Sequence, residues 1–132
     1  MKRTYNTGVD TNQIILGVTV GTVGTAYTSV YSSRSGGQQT KIAESNEDSG
    51  NIAEANIGDA TNLRNSYLVI RTIIDFSNVD PTLWANQKDN LISRYNFKGG
   101  FSGDQIYDHD IDDIISSPNG KTIVITKPIE LL

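Results

Sequence analysis

The densest concentration of chemically competent side chains in this sequence is Asp104-Gln105-Ile106-Tyr107-Asp108-His109-Asp110-Ile111-Asp112-Asp113. Read as a strand with period two, it lines Asp108, Asp110 and Asp112 along one face. Three carboxylates in a row are hard-cation ligands of the kind calcium takes. The EF-hand template is met at its first, third and fifth positions and then fails. Asp113 stands where glycine is needed, and Asn119 where a bidentate Glu belongs. The competing reading is a solvent-facing strand edge whose like charges repel self-association. Calcium is the one cofactor these residues raise; otherwise none is expected.

His109 is the only histidine. A zinc site would need carboxylates for every other ligand, and a hydrolase triad would have to use the same ring. Gly100-Phe101-Ser102-Gly103 misses the nucleophile elbow by one position. Gly17, Gly21 and Gly24 lie too far apart for a dinucleotide loop, and no Lys-Ser/Thr pair follows to make a phosphate loop. Carboxylates drawn from Asp104, Asp108 and Asp110 would cleave glycosides only if a pocket held the sugar between them. Trp84, Tyr95, Phe101 and Tyr107 would make a stacking platform if exposed, yet core and rim packing is the default for aromatics in a small β fold. Fifteen acids against eleven bases give a net charge of −4, and no basic patch accompanies the aromatics. Nucleic-acid binding is therefore not expected. Neither is an enzyme.

Charge is unevenly placed. Lys2, Arg3, Arg34 and Lys41 face a single acid, Asp10, before residue 44; Glu44, Glu47, Asp48, Glu54 and Asp59 then follow with no base among them. The plain reading is a solvated acidic loop. The sharper one is complementarity between copies. The basic arm of one chain, with Lys2, Arg3 and the anchors Tyr5 and Val9, would meet Glu44, Glu47, Asp48 and Glu54 of the next.

The elements that must carry these residues are strands. Tyr67 to Phe76 is the longest β-branched and aromatic run, with Leu68, Ile70, Ile74 and Phe76 on one face and Tyr67, Val69 and Ile73 on the other. Apolar on both faces, it predicts a central strand covered by a layer on each side. Ile14 to Val20 and Thr25 to Ser32 predict two more, with a bend over 21–24. Lys41 to Ala43, Leu91 to Phe97, Ile106 to Ile115 and Lys121 to Lys127 complete the set, and Pro128 should break the last ladder. Asn78-Val79-Asp80-Pro81 reads as a turn, or as a helix start of one or two turns with Asp80 as cap and Pro81 at the first helical position. Residues 32–39 are a Ser/Gly-rich loop, and 44–65 a long excursion with brief strand contacts at most. Residues 99–103 and 116–120 are glycine turns.

Length, strand spacing and the near absence of helix predict one all-β domain over 14–132, preceded by an extended arm over 1–13. The expected architecture is a two-layer antiparallel β-sandwich, jelly-roll-like or immunoglobulin-like, with a small β-barrel as the alternative. Cysteine is absent, which excludes disulfides and thiolate chemistry. Ile14 to Val30 is too diluted by threonine for a membrane helix, so no membrane insertion is expected. A polar arm and a Ser/Gly-rich loop gain little from burying their own side chains, and such segments fray unless something ties them down. The functional expectation is a non-enzymatic structural subunit whose partners are copies of itself or other structural proteins. It would be laced into a large assembly such as a phage virion (capsid accessory, tail or fibre) or a secretion machine, in a virion or extracellular setting. The alternative is a carbohydrate- or surface-binding module, calcium-dependent or aromatic-lined at its loop end.

Overall fold

The computed structural model describes residues 3–34 and 37–132. Among these residues ten strands form two sheets: β1 (Arg3–Tyr5), β2 (Gln13–Gly21), β3 (Thr25–Arg34), β4 (Thr40–Glu44), β5 (Ile52–Asp59), β6 (Ser66–Asp75), β7 (Ile92–Lys98), β8 (Gln105–Asp108), β9 (Ile114–Ser116) and β10 (Thr122–Leu131). One sheet runs β1-β10-β6-β3-β4, with β9 also pairing β10; the other runs β5-β2-β7-β8. Pairing between strands is antiparallel except for β1 on β10. The architecture is an all-β sandwich of two open sheets, with no closed barrel.

Period-two side-chain placement builds the core between the sheets. Leu68, Ile70 and Ile74 of β6, Val30 of β3, and Ile123, Ile125 and Ile129 of β10 face Ile14, Leu16 and Val18 of β2 and Tyr95 and Phe97 of β7, all buried. The two buried hydroxyls Thr28 and Thr72 satisfy each other across β3 and β6 at 2.8 Å, so the polar pair sits in the apolar layer without an unmet partner. Asp80 caps its helical turn as predicted, its Oδ1 accepting the Thr82 N–H at 3.0 Å behind Pro81.

Five expectations are corrected. First, the arm is not free: β1 is a strand of its own domain, and Tyr5 is 1% exposed. Its ring stacks on Phe97 of the opposite sheet at 4.9 Å. Its hydroxyl donates to the Gly103 carbonyl at 2.7 Å and accepts the Gly100 N–H at 2.9 Å. A Cβ on Gly100 would lie 2.6 Å from the Tyr5 ring, so glycine there opens the slot that Tyr5 fills. Second, 44–65 is not an excursion with brief contacts. It holds the eight-residue β5 and a short helix, α1 (Ala60–Leu63). Two register shifts against β2 break the alternation, which is why Ile52 and Ile57 are both buried although five residues apart.

Third, Ile106 to Ile115 is not one strand. The chain leaves β8 at Asp108, makes a 3₁₀ turn over Ile111–Asp113 and enters β9 in the other sheet. Fourth, Pro128 does not break β10. The Leu132 N–H, of the same parity, points to Tyr5 of β1. Pro128 faces that same edge in the gap between the β9 contact (Ile123–Ile125) and the β1 contact (Ile129–Leu131), where no strand among the described residues asks for its missing N–H. Fifth, β6 is covered on one face only. Tyr67 and Ile73 of its second face are exposed and Val69 is half-buried.

Candidate functional site

The acidic stretch is held by cations of its own chain. Asp108 pairs with Arg94 at 3.2 Å on the outer side of β7. Asp110 accepts Lys127 Nζ at 2.6 Å and Arg3 at 3.0 Å. Asp112 is exposed in the 3₁₀ turn, while Asp113 is buried and receives Lys127 Nζ at 3.1 Å and the Asp110 N–H at 2.7 Å. Asp108, Asp110 and Asp112 therefore do not share a strand face. Among the described residues no three His, Asp or Glu side chains are grouped to hold a metal ion.

Lys127 is the residue that sequence reasoning missed. It occupies an inward position of β10 between Ile125 and Ile129 and is 0% exposed. Its parity with Ile123 and Ile125 was the available signal, since a lysine on the apolar face of a strand must find carboxylates or unfold the edge. The hydrogen bond from Lys127, and secondarily that from Arg3, holds the Asp110 carboxyl below the usual carboxylate range. A depressed folded value means that the stabilisation is present above the ordinary carboxylate pKa and is lost as pH falls through the folded one. The expected result is a melting temperature level from neutrality down to about pH 5 and falling below about pH 4. Asp110→Asn, read by the same melting series, should make that acid decline shallower.

Beside this cluster, His109 Nδ1 lies 2.8 Å from Ser93 Oγ, and the Tyr95 hydroxyl donates to the same oxygen at 3.3 Å. Burial pushes the Tyr95 phenol up to about 12, against the lowering effect of its Ser93 hydrogen bond. Ser93 is only 1% exposed and, with His109, Arg94 and Asp108, lines a surface cavity of about 240 Å³.

The residues proposed for lacing are mostly engaged within the chain. Arg3 is on Asp110, Glu44 on Lys41 and Tyr27, and Glu54 on Lys98 at 2.6 Å. Tyr5 is core. Glu47 and Asp48 are exposed, and Lys2 lies outside the described residues. Val9 is exposed and lines, with Phe101, Asn6, Asp10 and Asn12, a surface cavity of about 450 Å³ at one loop end. Of the four aromatics considered as a platform, Tyr95 is core, Trp84 donates to the Val79 carbonyl at 2.9 Å, and Tyr107 packs edge-on to Phe97; Phe101 alone stands out, 81% exposed.

The two outer sheet faces differ in how their apolar residues are arranged. That of the four-stranded sheet scatters Ile15, Ile92 and Ile106 among Thr19, Arg94, Asn96 and Lys98, with the ion pairs to Asp108 and Glu54. That of the other sheet carries a row running Ile115, Val124, Ile73, Tyr27 across four strands, and a second running Pro128, Val69, Tyr31. Between the rows, Arg71 sits opposite Ser29 and Thr126 and is exposed; no ion pair among the described residues involves it. Among the described residues no helix is long and apolar enough to cross a membrane. No protein-family model, curated protein or solved structure matches this chain.

Proposed function

We propose that this protein is a non-enzymatic assembly subunit that docks a second copy of itself through the outer face of its larger sheet. The observation that carries the reading is that face. Tyr and Arg are the residue types enriched where binding energy concentrates, and Tyr27, Tyr31, Tyr67 and Arg71 stand here among Ile73, Val69 and Val124. β3, β6 and β10 are each ten residues long. At roughly 3.3 Å per residue and about 4.8 Å between strands, three to four strands give a planar footprint of about 500 Å². Side-chain relief raises the accessible area towards the ~800 Å² per partner of an ordinary specific interface. Lys41 and Arg71 share the patch with Glu44, Asp75 and Glu130. Both charge signs on one surface are what an isologous contact between identical chains requires.

Sedimentation across a concentration series tests this. The wild-type chain should associate. Ile73→Asp, at a position already 39% exposed, should run as a monomer with nearly the same melting temperature. A wild-type chain that stays monomeric at its highest soluble concentration would remove the self-assembly reading. Association that survives Ile73→Asp would move the contact off this face, with the Val9–Phe101 loop end next in line.

A further inference from the structure

Lys127, Asp113 and Asp110 are built for a reaction as well as for an ion pair. From their arrangement we infer that Lys127 Nζ and the Asp113 carboxyl condense within the folded chain to an amide, with Asp110 relaying the proton. This stands apart from the assembly reading and uses the opposite side of the sheet.

Three observations carry it. Lys127 is 0% exposed and the Asp113 side chain 3%, and their reacting groups lie 3.1 Å apart on segments that neighbour each other at one sheet edge. Fixing amine and carboxyl in contact removes the encounter entropy that makes such a condensation slow in water, an advantage equivalent to effective concentrations of about 10⁵ to 10⁸ M. A second carboxylate is also within reach: Asp110 Oδ2 is 2.6 Å from the same nitrogen. Asp110 has the more solvated carboxylate, 23% exposed, and is tethered by Arg3. It is thus placed to carry protons while the enclosed Asp113 serves as electrophile. Charge balance points the same way. Condensation removes one ammonium and one carboxylate from the interior, where charges are costly, and leaves Asp110 with Arg3 as a part-exposed pair.

The step balances without an outside reagent. A proton passes from the Lys127 ammonium to an Asp113 oxygen, giving a free amine and a neutral acid. The nitrogen lone pair forms the N–C bond at Asp113 Cγ. Asp110 takes the proton that the nitrogen then sheds and hands it to the hydroxyl as the C–O bond breaks. The products are one amide and one water, with Asp110 restored. Little water reaches the site, so the amide is shielded from hydrolysis.

Intact-mass spectrometry of the purified, folded wild-type chain is the test. The expected mass is the sequence mass less one water, and proteolysis under denaturing conditions should return a branched peptide joining Lys127 to Asp113. Asp110→Asn retains a hydrogen-bond acceptor for Lys127 but cannot relay the proton; it should fold and keep the full sequence mass. A folded wild-type chain that keeps its full mass after prolonged incubation would overturn the inference. So would a water loss mapped to any other residue, or a branched peptide formed equally in Asp110→Asn.

Discussion

Measured against the uncondensed chain, in which Lys127 is still an ammonium, Lys127→Met is expected to lower stability by about 3 to 5 kcal/mol, the range for breaking a buried pair by removing one partner. For a chain of this length that is a fall in melting temperature of roughly 10 to 20 °C. The loss is electrostatic more than steric. Methionine fills nearly the same volume between Ile125 and Ile129, but the Asp113 carboxylate, 3% exposed, loses the Lys127 ammonium that lay 3.1 Å from it. Asp110 suffers less, since Arg3 remains on it. Lys127→Met combined with Asp113→Asn should therefore recover most of the deficit, because the amide keeps an acceptor for the Asp110 N–H and brings no charge. Thermal melts of the single and double variants check this. A single variant as stable as wild type would mean that the cluster contributes nothing to holding the edge.

Tyr5→Ala should cost about as much, ~3 to 5 kcal/mol for an aromatic removed from a core. It deletes the ring stacked on Phe97 and both hydrogen bonds that fix 99–103. Removing residues 1–7 should cost more still. It uncovers the edge of β10 and strips the Leu132 carbonyl of the Thr7 N–H and hydroxyl, both at 2.9 Å. Denaturant melts of the truncated chain report the size of the effect. Tyr5→Phe separates its parts, since the ring stays while the Gly103 carbonyl and Gly100 N–H lose their partner, at about 1 to 3 kcal/mol. An unchanged midpoint after truncation would return the segment to the status of a free arm.

How far the sequence could be read follows from which signals are local. β6, β2, β3 and β7 were legible because their period-two patterns survive intact, and Leu68, Ile70, Ile74 and Phe76 are core as the pattern demanded. β5 was hidden because bulges spoil the alternation that identifies a strand. Tyr5 gave no sign in a polar context of three strand residues; only the slot at Gly100, far along the chain, explains its burial. The acidic stretch is conspicuous in the sequence for its five aspartates between 104 and 113. Its meaning depended on a lysine and an arginine brought from the two chain ends, and no spacing rule connects them. The open face of β6 was misread for the reason that an apolar face looks the same in sequence whether a layer of its own fold or another molecule covers it.

The parallel seating of β1 on β10 also dictates an order of events during folding. The contact from Thr7 to Leu132 closes a loop of 125 residues, and every other partner of Tyr5 lies beyond residue 96. Such closures have high contact order and come late. During chain elongation β6 can pair with β3 early, but its other edge stays open until Thr122–Leu131 emerges, displaying Leu68, Ile70 and Ile74 beside unpaired backbone. That interval is when the nascent chain is most prone to pair with a neighbour instead of with itself. β1 thus precedes the other strands of the fold in synthesis yet is secured after them, because β10, the strand on which it docks, is the last to emerge.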